Sequence, residues 1–200
     1  MTTPSVHQPR VVTLAGPNGS GKSTAAPRLL QEALGVPQFV NADVIARGLS
    51  AFSPEQVAMA AGRVMLARVK ELGERREDFA FETTLASKTF APWLKGLVES
   101  GCAFHIVFLW LPDPEAAIAR VADRVRMGGH DVPEETIRRR YLAGIKNFFD
   151  LYQDLATSWK ILDNSQRNRI KIVAAGQGIM TREVRDETRW QRILIQAGHE

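Results

Sequence analysis

Scarcity is the first lesson of this 200-residue sequence. A single cysteine, Cys102, excludes an internal disulfide and any cysteine-rich metal site. No apolar run approaches the roughly 20 residues that a membrane-spanning helix needs. The leading segment Met1–Pro9 is polar and lacks the apolar core of a signal peptide. It reads as a frayed leader, and a cytoplasmic location follows by default. His130 has no second histidine or cysteine at metal-ligand spacing. Repeats, low-complexity tracts and linkers are absent too, so residues 10–200 are expected to form one domain.

Charge narrows the field less. The net charge is +4, and much of the arginine is local, at Arg120, Arg124, Arg126, Arg138, Arg139 and Arg140. Nucleic acid needs such charge, but so do phosphate-rich small molecules. No aromatic residues of the kind that stack on bases are interleaved with these arginines.

Short apolar runs alternate with longer helix-compatible stretches. Expected strands cover Val11–Ala15, Gln38–Asn41, Phe79–Glu82, His105–Leu111, Trp159–Asp163 and Ile170–Ala174. Expected helices lie near Lys22–Leu34, Pro54–Leu72, Phe90–Ser100, Pro114–Met127, Pro133–Thr157 and Thr181–Gln196. Asp113-Pro114-Glu115 joins a capping side chain to a first-turn proline, and Gly35, Gly73 and Gly101 stand where helices should end. This alternation specifies an α/β fold, a mostly parallel sheet of five to six strands flanked by helices.

The richest stretch is Gly16-Pro-Asn-Gly-Ser-Gly-Lys-Ser-Thr24, directly after the first expected strand. It fills the G-x-x-x-x-G-K-[ST] pattern of a phosphate-binding loop, the mark of a P-loop NTPase. Gly16, Asn18, Gly19, Ser20, Gly21, Lys22, Ser23 and Thr24 would wrap nucleotide phosphates in backbone N–H groups at a helix N-terminus. Lys22 would reach the β- and γ-phosphates, and the Ser23 hydroxyl would ligate Mg²⁺.

Ligands of such sheets bind beyond the carboxyl ends of the strands. Asp43, just past the second strand, would take a hydroxyl proton or help hold Mg²⁺; alternatively it caps the following turn. Glu82, Thr83 and Thr84 close the third strand, with Glu82 near metal or acceptor and the threonines on substrate, or all three simply line a solvated strand end. The fourth strand offers no acid before Asp113, and His105 at its far end reads as structural. Two glycines and a proline at Gly128–Pro133, between arginine-bearing helices, suggest a lid around 120–140. The bland alternative is two solvated faces with pairs such as Glu135–Arg139. Asn164, after the fifth strand, either touches the adenine or caps a turn.

Taken in order, Gly16–Thr24, Asn41-Ala42-Asp43, Phe81-Glu82-Thr83-Thr84, Gly128–Pro133, Arg139-Arg140-Tyr141 and Asp163-Asn164-Ser165 resemble the zeta toxin-like P-loop kinases. That resemblance implies a nucleoside-kinase-like sheet and an ATP- and Mg²⁺-dependent phosphotransferase. In zeta toxins the acceptor is a UDP-activated N-acetyl sugar such as UDP-N-acetylglucosamine, phosphorylated on its 3′-hydroxyl. Carried over by position, Asp43 is the base and Lys22 grips the phosphates. Ser23 and Glu82 hold metal, while Glu82 and Thr84 contact acceptor or metal. Arg124 resembles a charge-neutralising lid arginine, with Arg120 and Arg139 toward substrate and Arg138 to Arg140 competing as the second. The chain is shorter than the well-known toxins, and nothing in it marks an antitoxin partner. Two rivals stand beside this reading: a polynucleotide or RNA kinase on the same core, and a non-enzymatic ATP-binding switch.

Overall fold

The computed structural model describes residues 8–129, 131–166 and 169–199, without the side chains of Pro54 and Glu55. His130 and residues 1–7 of the expected leader lie outside the described residues. Seven strands form one sheet, β1 (Arg10–Ala15), β2 (Phe39–Val40), β3 (Phe79–Thr83), β4 (Ala103–Trp110), β5 (Ser158–Gln166), β6 (Arg169–Gln177) and β7 (Met180–Val184). Their order is β2-β3-β1-β4-β5-β6-β7, parallel through β5 and antiparallel from β5 to β7. The expected five to six strands become seven. Residues 180–184 pair as a strand with β6, where a helix from Thr181 was expected. That last helix, α7, runs instead over Glu187–Ala197, capped by Asp186.

The other helices are α1 (Lys22–Ala26), α2 (Ala42–Leu49), α3 (Ala58–Glu74), α4 (Phe90–Glu99), α5 (Pro114–Arg126) and α6 (Glu134–Asn147). A wide turn over Pro27–Glu32 continues α1, a 3₁₀ turn (Pro54–Val57) precedes α3, and a second wide turn (Phe148–Tyr152) ends α6. The Asp113 carboxylate accepts from Ala116 N at 2.8 Å and Pro114 opens α5, as the sequence signal required. Gly73 stands in the last turn of α3, one residue before its end, and packs against Trp93 and Leu97 of α4.

β1 shows how the sheet divides the core. Val11 and Ala15 face a large apolar layer with Met65, Leu94, Val121, Tyr141, Phe148 and Trp190. Val12 and Leu14 face a smaller one with Ala25, Leu30, Val36 and Leu162. A strand covered on both sides cannot alternate in polarity, which explains the run Ile106–Trp110. Strand order reverses around β1, between β3 and β4, and the crevice beyond these carboxyl ends is where an α/β sheet takes its ligand. Gly16 leaves β1 at that crevice.

The arginine-bearing helices belong to the core and are held there. Ala117 and Val121 of α5 and Ile137, Tyr141 and Ile145 of α6 are buried. Asn147 Nδ2 donates to Leu85 O at 2.8 Å, and Tyr152 donates to Ser87 O at 2.6 Å. Gly144 lies so close to Thr84 that an added Cβ would stand 2.3 Å from its carbonyl oxygen. The helical parts of the segment expected as a lid are therefore built into the core. Among the described residues no helix is long and apolar enough to cross a membrane.

Candidate active site

Beyond the carboxyl ends of the strands lie two adjoining cavities, of about 550 and 610 Å³. The first is bordered by the phosphate loop, α5 and β5; the second by α2, the segment after it and the α5–α6 link. Ser23, Asp43 and Arg124 line both, so three charged or hydroxylated side chains mark the junction.

The loop's shape is set by glycine. Gly16, Gly19 and Gly21 all have positive φ, and a Cβ on Gly16 would stand 2.3 Å from the Leu109 carbonyl oxygen. Gly21 precedes α1 without a capping side chain, leaving the first N–H groups of that helix to a ligand. Asn164 Nδ2 donates to Ser20 O at 2.7 Å and ties the loop to β5. Asn164 thus braces the phosphate loop, a role that neither sequence alternative named, and it also lines the first cavity. Its neighbour Asp163 accepts from Ser165 N at 2.8 Å where the register of β5 shifts, and pairs with Arg189 at 2.9 Å.

Lys22 is only 6% exposed, and its ammonium donates to the carbonyls of Gly16 and Pro17 at 2.8 and 2.9 Å. Burial pulls its pKa below the usual lysine range; Glu82 and Asp43 oppose that, and Arg124 reinforces it. An anion entering the loop acts in the opposite direction to burial and favours the charged form. Glu82 lies 3.7 Å from the ammonium and accepts from Ser23 Oγ at 2.9 Å.

Asn41 is the residue that sequence reasoning passed over. It is 4% exposed, and its Oδ1 accepts from Asp43 N at 2.7 Å and Val44 N at 3.2 Å. Asn41, and not Asp43, therefore caps α2, which frees the Asp43 carboxylate to face the cavities. Its Nδ2 donates to Glu82 Oε2 at 2.6 Å and to Ser23 Oγ at 3.3 Å. One buried amide thus links the start of α2 to the Ser23–Glu82 pair. The signal was present as an Asn two residues before Asp43 and just before a helix.

The remaining candidates divide. Arg120 lines the first cavity and donates to Ser165 O at 2.8 Å, which puts it beside the loop and not at the second cavity. Arg138 is taken up by Glu115 and, at 3.8 Å, by Glu134; this is the i,i+4 pair formed, in place of Glu135–Arg139. Arg139 is exposed, and neither it, Thr83 nor Thr84 is among the described residues lining either cavity. The Thr83 and Thr84 hydroxyls instead accept from Leu85 N and Ala86 N, shaping a turn in which Leu85 has φ +56°. Arg140 is half-buried. Burial and the charge of Arg139 lower its pKa while Asp43 raises it, which brings Arg140 within electrostatic reach of the site.

Ser23 Oγ and Glu82 Oε2, 2.9 Å apart on the cavity wall, suit a hard octahedral cation. Oxygens at 2.0–2.1 Å on neighbouring vertices of such an ion are about 2.9 Å apart. Among the described residues no group of three or more His, Cys, Asp or Glu could hold a metal by itself, so phosphate and water oxygens would have to complete the shell.

Fold and site together define a P-loop NTPase kinase fold, and the comparisons agree. The AAA domain family matches residues 11–143, and the chain belongs to it. An uncharacterized protein of Haemophilus influenzae is 28% identical over 136 residues, 68% of this chain and 95% of its own. Among solved structures, AvrRxo1-ORF1:-ORF2 with ATP superposes with a TM-score of 0.72 at 17% identity, covering 93% of this chain. This chain spans only 63% of that one. The PezAT toxin-antitoxin system of Streptococcus pneumoniae gives 0.62 at 16% identity, over 86% of this chain and 73% of that one. At these identities the likeness is one of fold.

Proposed function

We propose that the protein transfers the γ-phosphate of ATP to a hydroxyl of a small molecule, with ATP in the first cavity and the acceptor in the second. The observation that carries this reading is the shared boundary: Ser23, Asp43 and Arg124 border both cavities. A carboxylate and a guanidinium at one junction are what in-line transfer between two ligands needs.

In this reading Asp43 accepts the hydroxyl proton as the acceptor oxygen bonds to the γ-phosphorus. The bond from that phosphorus to the bridging oxygen breaks, and its electron pair leaves with ADP. Lys22 and Arg124 offset charge developing on the transferred group and on the leaving phosphate. Ser23 and Glu82 would hold Mg²⁺, which when bound neutralises phosphate charge and fixes the β–γ geometry. Asn41 keeps Asp43 and Glu82 in register. Arg140 balances the charge of Asp43 from α6. The zeta toxin-like resemblance makes a UDP-activated amino sugar the first acceptor to try. It also leaves an antitoxin partner open, as the neighbouring toxin-antitoxin structures do.

The test is γ-labelled ATP with Mg²⁺ and a metabolite pool containing UDP-sugars, alongside an oligonucleotide with a free 5′-hydroxyl. Label is expected on a small molecule. The Asp43→Asn variant should lose transfer by about 10²–10⁴-fold while still binding ATP. Free phosphate as the sole product counts against a kinase, and label on the oligonucleotide converts the reading to a polynucleotide kinase. Capture of a protein partner with ATP, without transfer, points to a switch.

A further inference from the structure

The second cavity combines a few charged side chains with stretches of wall that carry only methyl groups and one ring. Ala42, Ala46, Ala51 and Ala58 supply methyl groups, and the Phe52 ring, 100% exposed, stands at the edge with nothing packed on it. A polyol needs a hydrogen-bond partner for each hydroxyl it buries, and methyl groups provide none. Among the described residues the charged side chains here are Asp43, Arg47, Arg124 and Asp131. Asp43 and Arg124 are committed to the junction. Asp131 lies on the α5–α6 link, and its Oδ1 accepts from Val132 N at 2.7 Å. That leaves Arg47.

Arg47 follows Asp43 by four residues on α2, so the two side chains rise from one helix face, with Cβ atoms about 5–6 Å apart. Its Nε donates to the Asp43 carbonyl at 3.3 Å, which draws the guanidinium back toward the junction. Among the described residues no carboxylate pairs with it, although Arg138, Arg185, Arg189 and Arg192 all have such partners. An arginine left without an acid beside a cavity is a ready site for a carboxylate or a phosphate, which it grips with two parallel N–H donors.

We infer that the acceptor is a compact anionic alcohol: a hydroxyl at Asp43, one carboxylate or phosphate group at Arg47 about one helical turn away, and an otherwise apolar body against the alanines and Phe52. Arg47 is then the residue that sets acceptor specificity. Asp131, the carboxylate that the α5–α6 link adds to the lining, disfavours a second anionic group beside it. This inference rests on the kinase reading above, and it narrows the acceptor to a class that amino sugars with many free hydroxyls fit less well.

The test uses the full chain with γ-labelled ATP and paired acceptors. One arm offers short hydroxy-carboxylates against their methyl esters, a second offers glycerol phosphate against glycerol, and UDP-N-acetylglucosamine runs beside them. The anionic member of a pair is expected to be favoured at least tenfold in kcat/KM, and the arm in which this happens distinguishes carboxylate from phosphate. Arg47→Met should erase that preference chiefly through the acceptor KM, and Arg47→Lys should restore part of it. Turnover of neutral members equal to that of their anionic partners overturns the inference, as does an undiminished preference in Arg47→Met. In either case transfer that still depends on Asp43 leaves the kinase reading standing. Failure of every acceptor, with ATP merely hydrolysed, overturns both.

Discussion

The two cavities meet at the same three side chains but are built from different materials. The first cavity, the proposed donor side, is framed by backbone: a glycine loop pressed against β4 and α5, braced by Asn164, with Lys22 buried beneath it. The acceptor side is a set of small or exposed side chains on α2, on residues 51–58 and on the α5–α6 link. Phosphate is the same group in every nucleotide, so a rigid backbone cradle can be specified once. An acceptor differs from enzyme to enzyme, and the residues that meet it sit where substitution costs the core little.

The largest break in this contrast comes from Gly16. Its φ of +137° and a Cβ 2.3 Å from the Leu109 carbonyl oxygen allow no larger residue without moving backbone. Gly16→Ala should cost about 3 kcal/mol or more, read as a fall in Tm, and should abolish binding of a fluorescent ATP analogue. Phe52→Ala, the matching change on the acceptor side, should shift stability by no more than about 0.5 kcal/mol while raising the acceptor KM. Similar Tm losses for the two variants would erase the distinction between cradle and wall.

Next is Gly129, in the α5–α6 link. A Cβ there would stand 2.5 Å from Arg124 Cγ and 2.9 Å from Arg124 O. The Arg124 side chain can swing away, and a small shift of the link relieves the contact with the Arg124 carbonyl, so Gly129→Ala should fold. The guanidinium would then leave the junction, and kcat should fall about tenfold or more, short of the 10²–10³ that follows outright loss of a charge-stabilising donor. Steady-state kinetics decide: an unchanged kcat means Arg124 is not held by this glycine.

How much of this could be read beforehand follows the same division. Gly16–Thr24 declares its shape because positive φ and close approach demand glycine, and the parallel core declares itself through buried strands such as Ile106–Trp110. β7 was hidden because all five of its residues, Met180–Val184, are exposed, so no burial period distinguishes an edge strand from a solvated helix. Asp43 and Glu82 were legible as acids at strand ends. The cap made by Asn41 was legible too; its link to Glu82 was not, because Glu82 arrives from 41 residues further along the chain. Thr83 and Thr84 were ambiguous for a related reason: their hydroxyls suit a substrate and a turn equally, and in the structure both accept from N–H groups of the turn. Arg139 and Arg140 differ only in which face of α6 they occupy.

Asn41 spans the contrast, and its loss should damage both sides moderately. Asn41→Ala removes the cap of α2 and leaves Glu82 and Ser23 without the amide between them. About 1–2 kcal/mol of stability should go with the cap, measurable by urea unfolding. Asn41→Ser keeps a capping oxygen but not the amide donor, so it should regain most of the stability and little of the kcat. Equal recovery of both would reduce Asn41 to a cap.

The smallest effect is expected farthest from either cavity. His105 enters β4 at the opposite end of the sheet, its Nδ1 2.8 Å from Ser158 Oγ. Burial, and then the charge of Arg10, hold its pKa below the usual histidine range. Protons therefore bind the unfolded chain more tightly than the folded one. The stability this provides is complete above the unfolded pKa, near 6.5, and is lost as pH falls from there through the folded value. His105→Gln has no such proton to take up, and its amide can keep a hydrogen bond to Ser158. Between pH 7.5 and 5.5 the wild-type Tm should fall further than that of the variant, with acceptor kinetics at pH 7.5 the same in both. Parallel Tm curves would remove His105 as a source of acid sensitivity. A changed acceptor KM would mean that the far end of β4 reaches the site, contrary to the division between scaffold and wall.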